Sequence, residues 1–156
     1  MTAVLSLGSN LGDRAAHLNA AIDLLRMHLP VVAVSPVYET VPVGVEGDPA
    51  FLNVVVLVDA RDPWALLDVA HRVEDLRGRL RSRRWGPRTL DVDVITVDAL
   101  QSDSPTLTLP HPRANERAFV LVPWLDVDPD AELPGRGRVA DLVRAMDTNG
   151  VRRWLP

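Results

Sequence analysis

Apolar positions along this chain fall into two rhythms, and their alternation lays out the elements. "TAVLSLG" (Thr2–Gly8) reads as a short buried strand running into a Gly-Ser-Asn turn. Asp13 then stands where an N-cap belongs, ahead of Leu18, Ile22, Leu25 and Leu29 at helical spacing, and Pro30 ends that helix. "VVAVSPVYET" (Val31–Thr40) reads as a strand, with Pro36 marking an edge or a bulge. After a Pro/Gly-rich loop (Val41–Pro49), the β-branched run "FLNVVVLVDA" (Phe51–Ala60) carries the strongest strand signal in the chain.

Asp62-Pro63 pairs a capping residue with proline at the first helical position. The helix it opens carries Leu66, Leu67, Ala70, Val73 and Leu80, and Gly78 is a candidate for an early stop. "TLDVDVITVD" (Thr89–Asp98) is the next strand. In the last third, "LTLPHP" (Leu107–Pro112) suggests a short strand, "ERAFVLVPWL" (Glu116–Leu125) a helix and "RVADLVRAM" (Arg138–Met146) another. There is no internal repeat, and no linker long enough to divide the chain, so residues 1–156 read as one domain. The order strand–helix–strand–strand–helix–strand, followed by additions, predicts an α+β, ferredoxin-like βαββαβ sandwich. Its helices are expected on one face of a mainly antiparallel sheet.

Composition narrows the function classes. A formal net charge of −4 argues against a general nucleic-acid binder. With no cysteine, disulfides and thiolate metal sites are excluded. The N-terminus lacks a basic leader joined to an apolar run, and no apolar run has the length of a membrane span, so the expectation is a cytoplasmic protein. All 17 basic residues are arginine. Arginine richness alone therefore carries little weight, but its placement carries more. Arg72, Arg77, Arg79, Arg81, Arg83, Arg84 and Arg88 occupy 17 consecutive positions, where even spreading would leave about two.

The last four of those arginines lead straight into "TLDVDVI". On a strand, Asp91 and Asp93 project together while Leu90, Val92 and Val94 face the other way. Their Cα atoms are then about 6.5–7 Å apart, a separation that lets both carboxylates serve one hard cation or a pair of ions. A solvated strand face bearing two acids is the plainer reading of Asp-x-Asp alone. Four arginines within eight residues repel one another unless an anion neutralises them, and the guanidinium fork matches phosphate oxygens. A polyphosphate bound with Mg²⁺ accounts for both features. Without lysine, neither the P-loop signature nor the protein-kinase β3 lysine is possible. No Ser or Cys has a nucleophile-elbow context, which favours direct transfer between substrates.

"RWGPRTLDVDVI" (Arg84–Ile95), taken with "LSLGSNLGDR" (Leu5–Arg14), "YETVPVG" (Tyr38–Gly44), "FLN" (Phe51–Asn53) and "LTLPHPRANERAFVLVPW" (Leu107–Trp124), resembles 6-hydroxymethyl-7,8-dihydropterin pyrophosphokinases of folate biosynthesis. The blocks span nearly the whole chain in the family's order. The resemblance implies an enzyme that moves the β,γ-pyrophosphoryl group of ATP to the pterin hydroxymethyl and releases AMP. It assigns two Mg²⁺ ions to Asp91 and Asp93, and ATP to Glu74, Arg81, Trp85, Arg88, Thr108, His111 and Arg117. Arg79 and Arg81 belong to the family's closing catalytic loop. For the pterin it implies Phe51 and Phe119 as stacking rings, Asn53 as the edge partner, and Thr40, Pro42 and Val43 as lining. It implies these two substrates as partners; charge and hydropathy lead us to expect no nucleic acid and no membrane, and with no segment demanding a second copy the expectation is a monomer.

Several positions depart from the family pattern. Phe51 stands where a tyrosine occurs in some members, Pro112 follows His111 where a tyrosine can occur, and His71 replaces a glutamine. The Arg81–Trp85 stretch is one residue short. His17 and His28 read as surface residues, and Trp64, Trp124 and Trp154 as packing. Two rivals remain at this point. One is a Mg²⁺-dependent nucleotidyltransferase or nuclease using the same acids. The other is a non-catalytic ferredoxin-like RNA- or ligand-binding module, which would want more sheet-surface aromatics than Phe51.

Overall fold

A computed structural model describes residues 1–41, 49–78 and 89–156. Strand β1 (Thr2–Ser9) lies between β4 (Phe51–Asp59) and β5 (Asp91–Val97), antiparallel to both. Strands β2 (Val31–Val34) and β3 (Tyr38–Thr40) both pair with β4, and β10 (Val151–Arg153) pairs with the outer side of β3. Helices α1 (Arg14–His28) and α2 (Pro63–Leu76) join these strands in the order β1-α1-β2-β3-β4-α2-β5, the predicted βαββαβ with its second strand divided in two. Asp13 and Asp62 cap them, accepting from the amides of Ala16 and Ala65 at 3.1 and 2.8 Å. Arg77 forms the C-terminal cap of α2, and Gly78 follows at φ +76°, a conformation that favours glycine.

The Val31–Thr40 run is two strands, not one. Pro36 has no N–H for the ladder, and Ser35 bridges the break: its amide donates to Val55 O, and its hydroxyl accepts from Val55 N, both at 2.9 Å. The kink re-aims β3, and β10 covers the edge that Pro36 suggested was free. Val151–Arg153 carried no strand signal, because three residues with two arginines lack any period.

Helices α1 and α2 share one face of the sheet, as expected, and the C-terminal additions cover the other. One face buries Leu5, Leu7, Val54, Val56, Val58 and Val92 against α1 and α2 residues such as Leu18, Leu25, Leu66 and Val73. On the other, Val4, Val55, Leu57 and Ile95 meet Val120, Leu121 and Trp124 of α3 (Ala118–Val127) and Val139 of α4 (Val139–Arg144). Burial of every residue from Leu52 to Val58 follows from this two-sided cover. Between β5 and α4 come two hairpins, β6–β7 (Ser102–Asp103 with Thr108–Leu109) and β8–β9 (Glu132–Leu133 with Gly137–Arg138). Trp64 is half exposed at the start of α2, so it is not core packing, whereas Trp124 is buried.

Candidate active site

Among the described residues, α3 and α4 cover part of their side of the sheet, and beyond them β3, β4, β1 and β5 bring polar residues together. Register places Tyr38, Asn53, Gly8 and Asp91 in one row across four strands, with Val55, Ser6 and Asp93 in the next. Directly opposed residues share a face, so amide and carboxylate look out on either side of a glycine. A Cβ on Gly8 would stand 3.0 Å from Asn53 Oδ1 and 3.4 Å from Phe51 Cδ1. The missing side chain is therefore what lets Asn53 and Phe51 lie over β1.

Asn53 is buried and oriented: its Nδ2 donates to Thr40 Oγ1 at 2.8 Å. Thr40 thus ends β3 as Asn53's partner. Oδ1 is left facing the Gly8 side, where it can accept from a ligand edge. Phe51 stands one side-chain repeat further along β4 on the same face, half-buried.

At the other end of the row, Asp91 and Asp93 share a face of β5, as alternation requires. Glu74 sits behind them in the core, and its Oε2 accepts from the amide of Val92, the residue between the two acids, at 2.9 Å. The opposite edge of β5 is thereby secured by a carboxylate, and further on by His111 N donating to Ile95 O at 2.8 Å. Asp93 stays substantially exposed, and Arg117, at the N-cap of α3, brings Nη1 to 3.7 Å of its Oδ2. The same guanidinium lies 5.6 Å from the centroid of the Phe119 ring.

His111 faces this cluster from the turn after β7. Its Nδ1 accepts from Arg113 N at 3.2 Å, which leaves Nε2 as the protonated, donating nitrogen. Burial pushes its pKa down, Asp93 pulls it up, and Arg117 and Arg113 push it down again, with a net lowering. A neutral imidazole donor suits a phosphate oxygen. On its flank opens a cleft of about 350 Å³, lined by Gln101, Thr108, His111, Pro112, Asn115 and Arg136 among others.

Among the described residues, no group of three or more His, Asp or Glu side chains could enclose a metal ion. The two carboxylates of β5 nevertheless fit a hard divalent cation whose remaining positions go to phosphate oxygens and water, the usual arrangement for Mg²⁺. The approach of Arg117 to Asp93 marks that carboxylate as one that attracts a cation.

The structure thus brings together Thr40, Phe51, Asn53, Asp91, Asp93, Arg117, Phe119 and His111 around one face, with Thr108 in the adjoining cleft. Glu74 stands one layer deeper than its neighbours. Pro42, Val43, Arg79, Arg81, Trp85 and Arg88 lie outside the described residues.

Three residues without an individual role in the sequence reading belong to the surroundings. Gly8 is the floor just described. Arg14 joins β3 to the start of β4. His17 is not a partnerless surface residue: its Nδ1 accepts from Arg77 Nη2 at 2.9 Å, joining α1 to the end of α2. The "LGSNLGDR" block carried that signal only as a string. What its members touch depends on pairing across 25 to 60 residues.

Comparison with known proteins shows the family. A family model described as 7,8-dihydro-6-hydroxymethylpterin-pyrophosphokinase matches residues 4–129. A 2-amino-4-hydroxy-6-hydroxymethyldihydropteridine pyrophosphokinase of Mycobacterium leprae is 51% identical over 156 residues, covering 92% of this chain and 80% of that protein. The enzyme of that name from Methylorubrum extorquens is 41% identical, covering 97% of each. Among solved structures, Plasmodium falciparum HPPK-DHPS with pteroate superposes with a TM-score of 0.75 at 15% identity, a likeness of fold. It covers 92% of this chain but only 44% of that bifunctional one.

Proposed function

The chain belongs to the 7,8-dihydro-6-hydroxymethylpterin-pyrophosphokinase family, and we propose that it carries out that reaction on the sheet face built around Gly8. It is an ATP-dependent pyrophosphokinase of folate biosynthesis, and its substrates are ATP and 6-hydroxymethyl-7,8-dihydropterin. The pterin hydroxymethyl oxygen attacks the β-phosphorus of ATP, the bond from that phosphorus to the α,β-bridging oxygen breaks, and AMP leaves. The hydroxyl proton passes to water.

Support for the site comes from the single row Asn53–Gly8–Asp91, in which a ring-edge acceptor and a cation-binding carboxylate flank a side-chain-free floor. The flat pterin lies over Gly8, stacked on Phe51 and Phe119, its edge read by Asn53 as Thr40 orients it. That posture points the hydroxymethyl toward β5. Asp91 and Asp93 would hold Mg²⁺, two ions in our reading, which would neutralise charge on the phosphate oxygens. His111 donates from Nε2 to a phosphate, Arg117 swings from Asp93 onto the polyphosphate, and the adenosine end takes the cleft beside Thr108. Glu74 fixes the backbone between the two acids. By the family resemblance, Arg79, Arg81, Arg88 and Trp85 are assigned to ATP, and Pro42 and Val43 to the pterin. Positioning and charge stabilisation carry the reaction, with no covalent intermediate.

One domain and one chain suffice for this arrangement. No described helix is long and apolar enough to cross a membrane, and a cytoplasmic monomer is the state we assign. The test is product identity. Protein incubated with ATP, Mg²⁺ and the hydroxymethylpterin should release AMP in step with pterin diphosphate, and Asp91→Ala should abolish both. ADP, or AMP formed without the pterin, would overturn the reading.

A further inference from the structure

We propose that Arg14, on the back of the sheet and out of reach of substrate, is a positioning residue for the pterin pocket. The inference rests on the assignment of Thr40, Phe51 and Asn53 to pterin. One nitrogen, Nη1, donates to Ala50 O at 2.8 Å and to Glu39 Oε2 at 3.0 Å. Ala50 immediately precedes Phe51, and Glu39 immediately precedes Thr40. Thr40 and Phe51 are themselves cross-strand partners, the last rung of the β3–β4 ladder before residues 42–48. A single guanidinium therefore holds both strands at the rung that carries two of the pterin contacts, Thr40 and Phe51, with the third, Asn53, bonded to Thr40.

Two features make the clamp firm. Arg14 is the first residue of α1, whose N-cap Asp13 is bonded to Ala16, so its backbone is anchored on a capped helix. The ion pair is also partly shielded, with side-chain exposures of 26% for Arg14 and 30% for Glu39, and it is reinforced by a charge-assisted bond to a carbonyl. The same segment ties the incoming chain a second time, through Asn10 Nδ2 to Pro49 O at 3.4 Å. Glu39 lies on the face opposite Asn53, because adjacent residues alternate and Tyr38 is the residue paired with Asn53. Arg14 consequently acts on the pocket only through the backbone. Arg152, cross-strand from Glu39 on β10, is the other cation beside that carboxylate, and it is exposed.

Strand ends open locally at low cost. Losing the clamp loosens the Thr40–Phe51 rung and, with it, the bond that orients Asn53. The kinetic signature is a rise in KM for the pterin, with KM for ATP and kcat retained. Arg14→Met keeps the stem and removes both bonds. It should raise the pterin KM about fivefold or more, leave the ATP KM within about twofold, and speed amide hydrogen exchange in residues 49–53. Both bonds come from one nitrogen, so an ammonium can make them, and Arg14→Lys should recover most of the loss. Glu39→Gln, which spares the Ala50 bond and the fold, should give a smaller rise of the same kind. Asn53→Ala runs alongside as the check on the pocket itself.

If the pterin KM is unmoved in Arg14→Met and Glu39→Gln while Asn53→Ala raises it, the pocket reading survives and the clamp does not. Equal rises in the KM for ATP and for pterin would make Arg14 an ordinary structural residue and overturn the proposal. A pterin KM unmoved by Asn53→Ala would remove the pocket assignment, and the clamp with it.

Discussion

Substituting Gly8 by alanine is the sharpest probe of the floor between Asn53 and Asp91. The new methyl carbon would arrive 3.0 Å from Asn53 Oδ1, which must yield by some tenths of an ångström, and 3.4 Å from Phe51 Cδ1, an ordinary contact. Gly8 does not have positive φ, so alanine meets no backbone strain there and recovers about 0.5–1 kcal/mol of strand entropy. Against that gain, displacing Asn53 loses its bond to Thr40, about 0.5–1.5 kcal/mol net. An off-rotamer amide costs a similar amount. Folding stability should therefore change by only about 1 kcal/mol, a shift in Tm of a few degrees for a domain of this size.

Pterin binding has no such compensation. It loses the oriented acceptor and the space above Gly8, about 1–2 kcal/mol together, which is a five- to thirtyfold rise in Kd. Fluorescence titration of the pterin, in the presence of a non-hydrolysable ATP analogue, reads that change. The nucleotide's own Kd should stay within about twofold. Unchanged pterin affinity in a folded Gly8→Ala protein would refute the floor. A fall in Tm beyond about 10 °C with equal loss of both ligands would show that the glycine serves packing instead.

Further outcomes follow from contacts elsewhere in the fold. Glu74→Leu strands the buried amide of Val92 without its acceptor and should cost about 1–3 kcal/mol in chemical denaturation, whereas Glu74→Gln keeps an acceptor and should cost less. Ser35→Ala likewise orphans the amide of Val55 at the β2–β3 break, with a loss of about the same size. His17 has its pKa lowered, first by burial and then by Arg77, with Asp13 opposing. The unfolded chain then binds the proton more readily, so this residue's contribution is fully present above pH about 6.5 and is lost as pH falls through the lower folded-state pKa. His17→Asn, which keeps an acceptor for Arg77 and does not titrate, should flatten the stability profile in that window; an unchanged slope would contradict the lowered pKa of His17.

How much of this was legible in the sequence varies with the range of the interactions. Asp13 and Asp62 could be read as caps because a cap acts within three residues, and Phe51–Asp59 as a strand because its β-branched run is buried on both sides. Asp91 and Asp93 could be placed on one face by alternation alone. The break at Ser35–Val37 was visible only as a proline. Its consequence, a β3 that turns Thr40 toward Asn53, depends on what β4 offers 20 residues later. Helices α3 and α4 and the short strand β7 were legible as elements, whereas β10 and the β8–β9 hairpin were too short to leave a period. By resemblance Glu74 is a nucleotide ligand. Its bond to Val92 comes from helix-to-strand packing that no local pattern encodes. Gly8 showed the same limit: a glycine in a strand signals close approach, but the sequence does not say to what.

The central claim is that the acid pair of β5 and the amide–aromatic pair of β4 are two halves of one site. Paramagnetic relaxation tests it most directly. Mn²⁺ is bound with a non-hydrolysable ATP analogue, and relaxation of the bound hydroxymethylpterin is measured proton by proton. The account predicts strong enhancement at the hydroxymethyl protons, falling away toward the edge held by Asn53, and its loss in Asp91→Asn. Uniform or absent enhancement, with both ligands shown to be bound, would place metal and pterin in separate sites and contradict it.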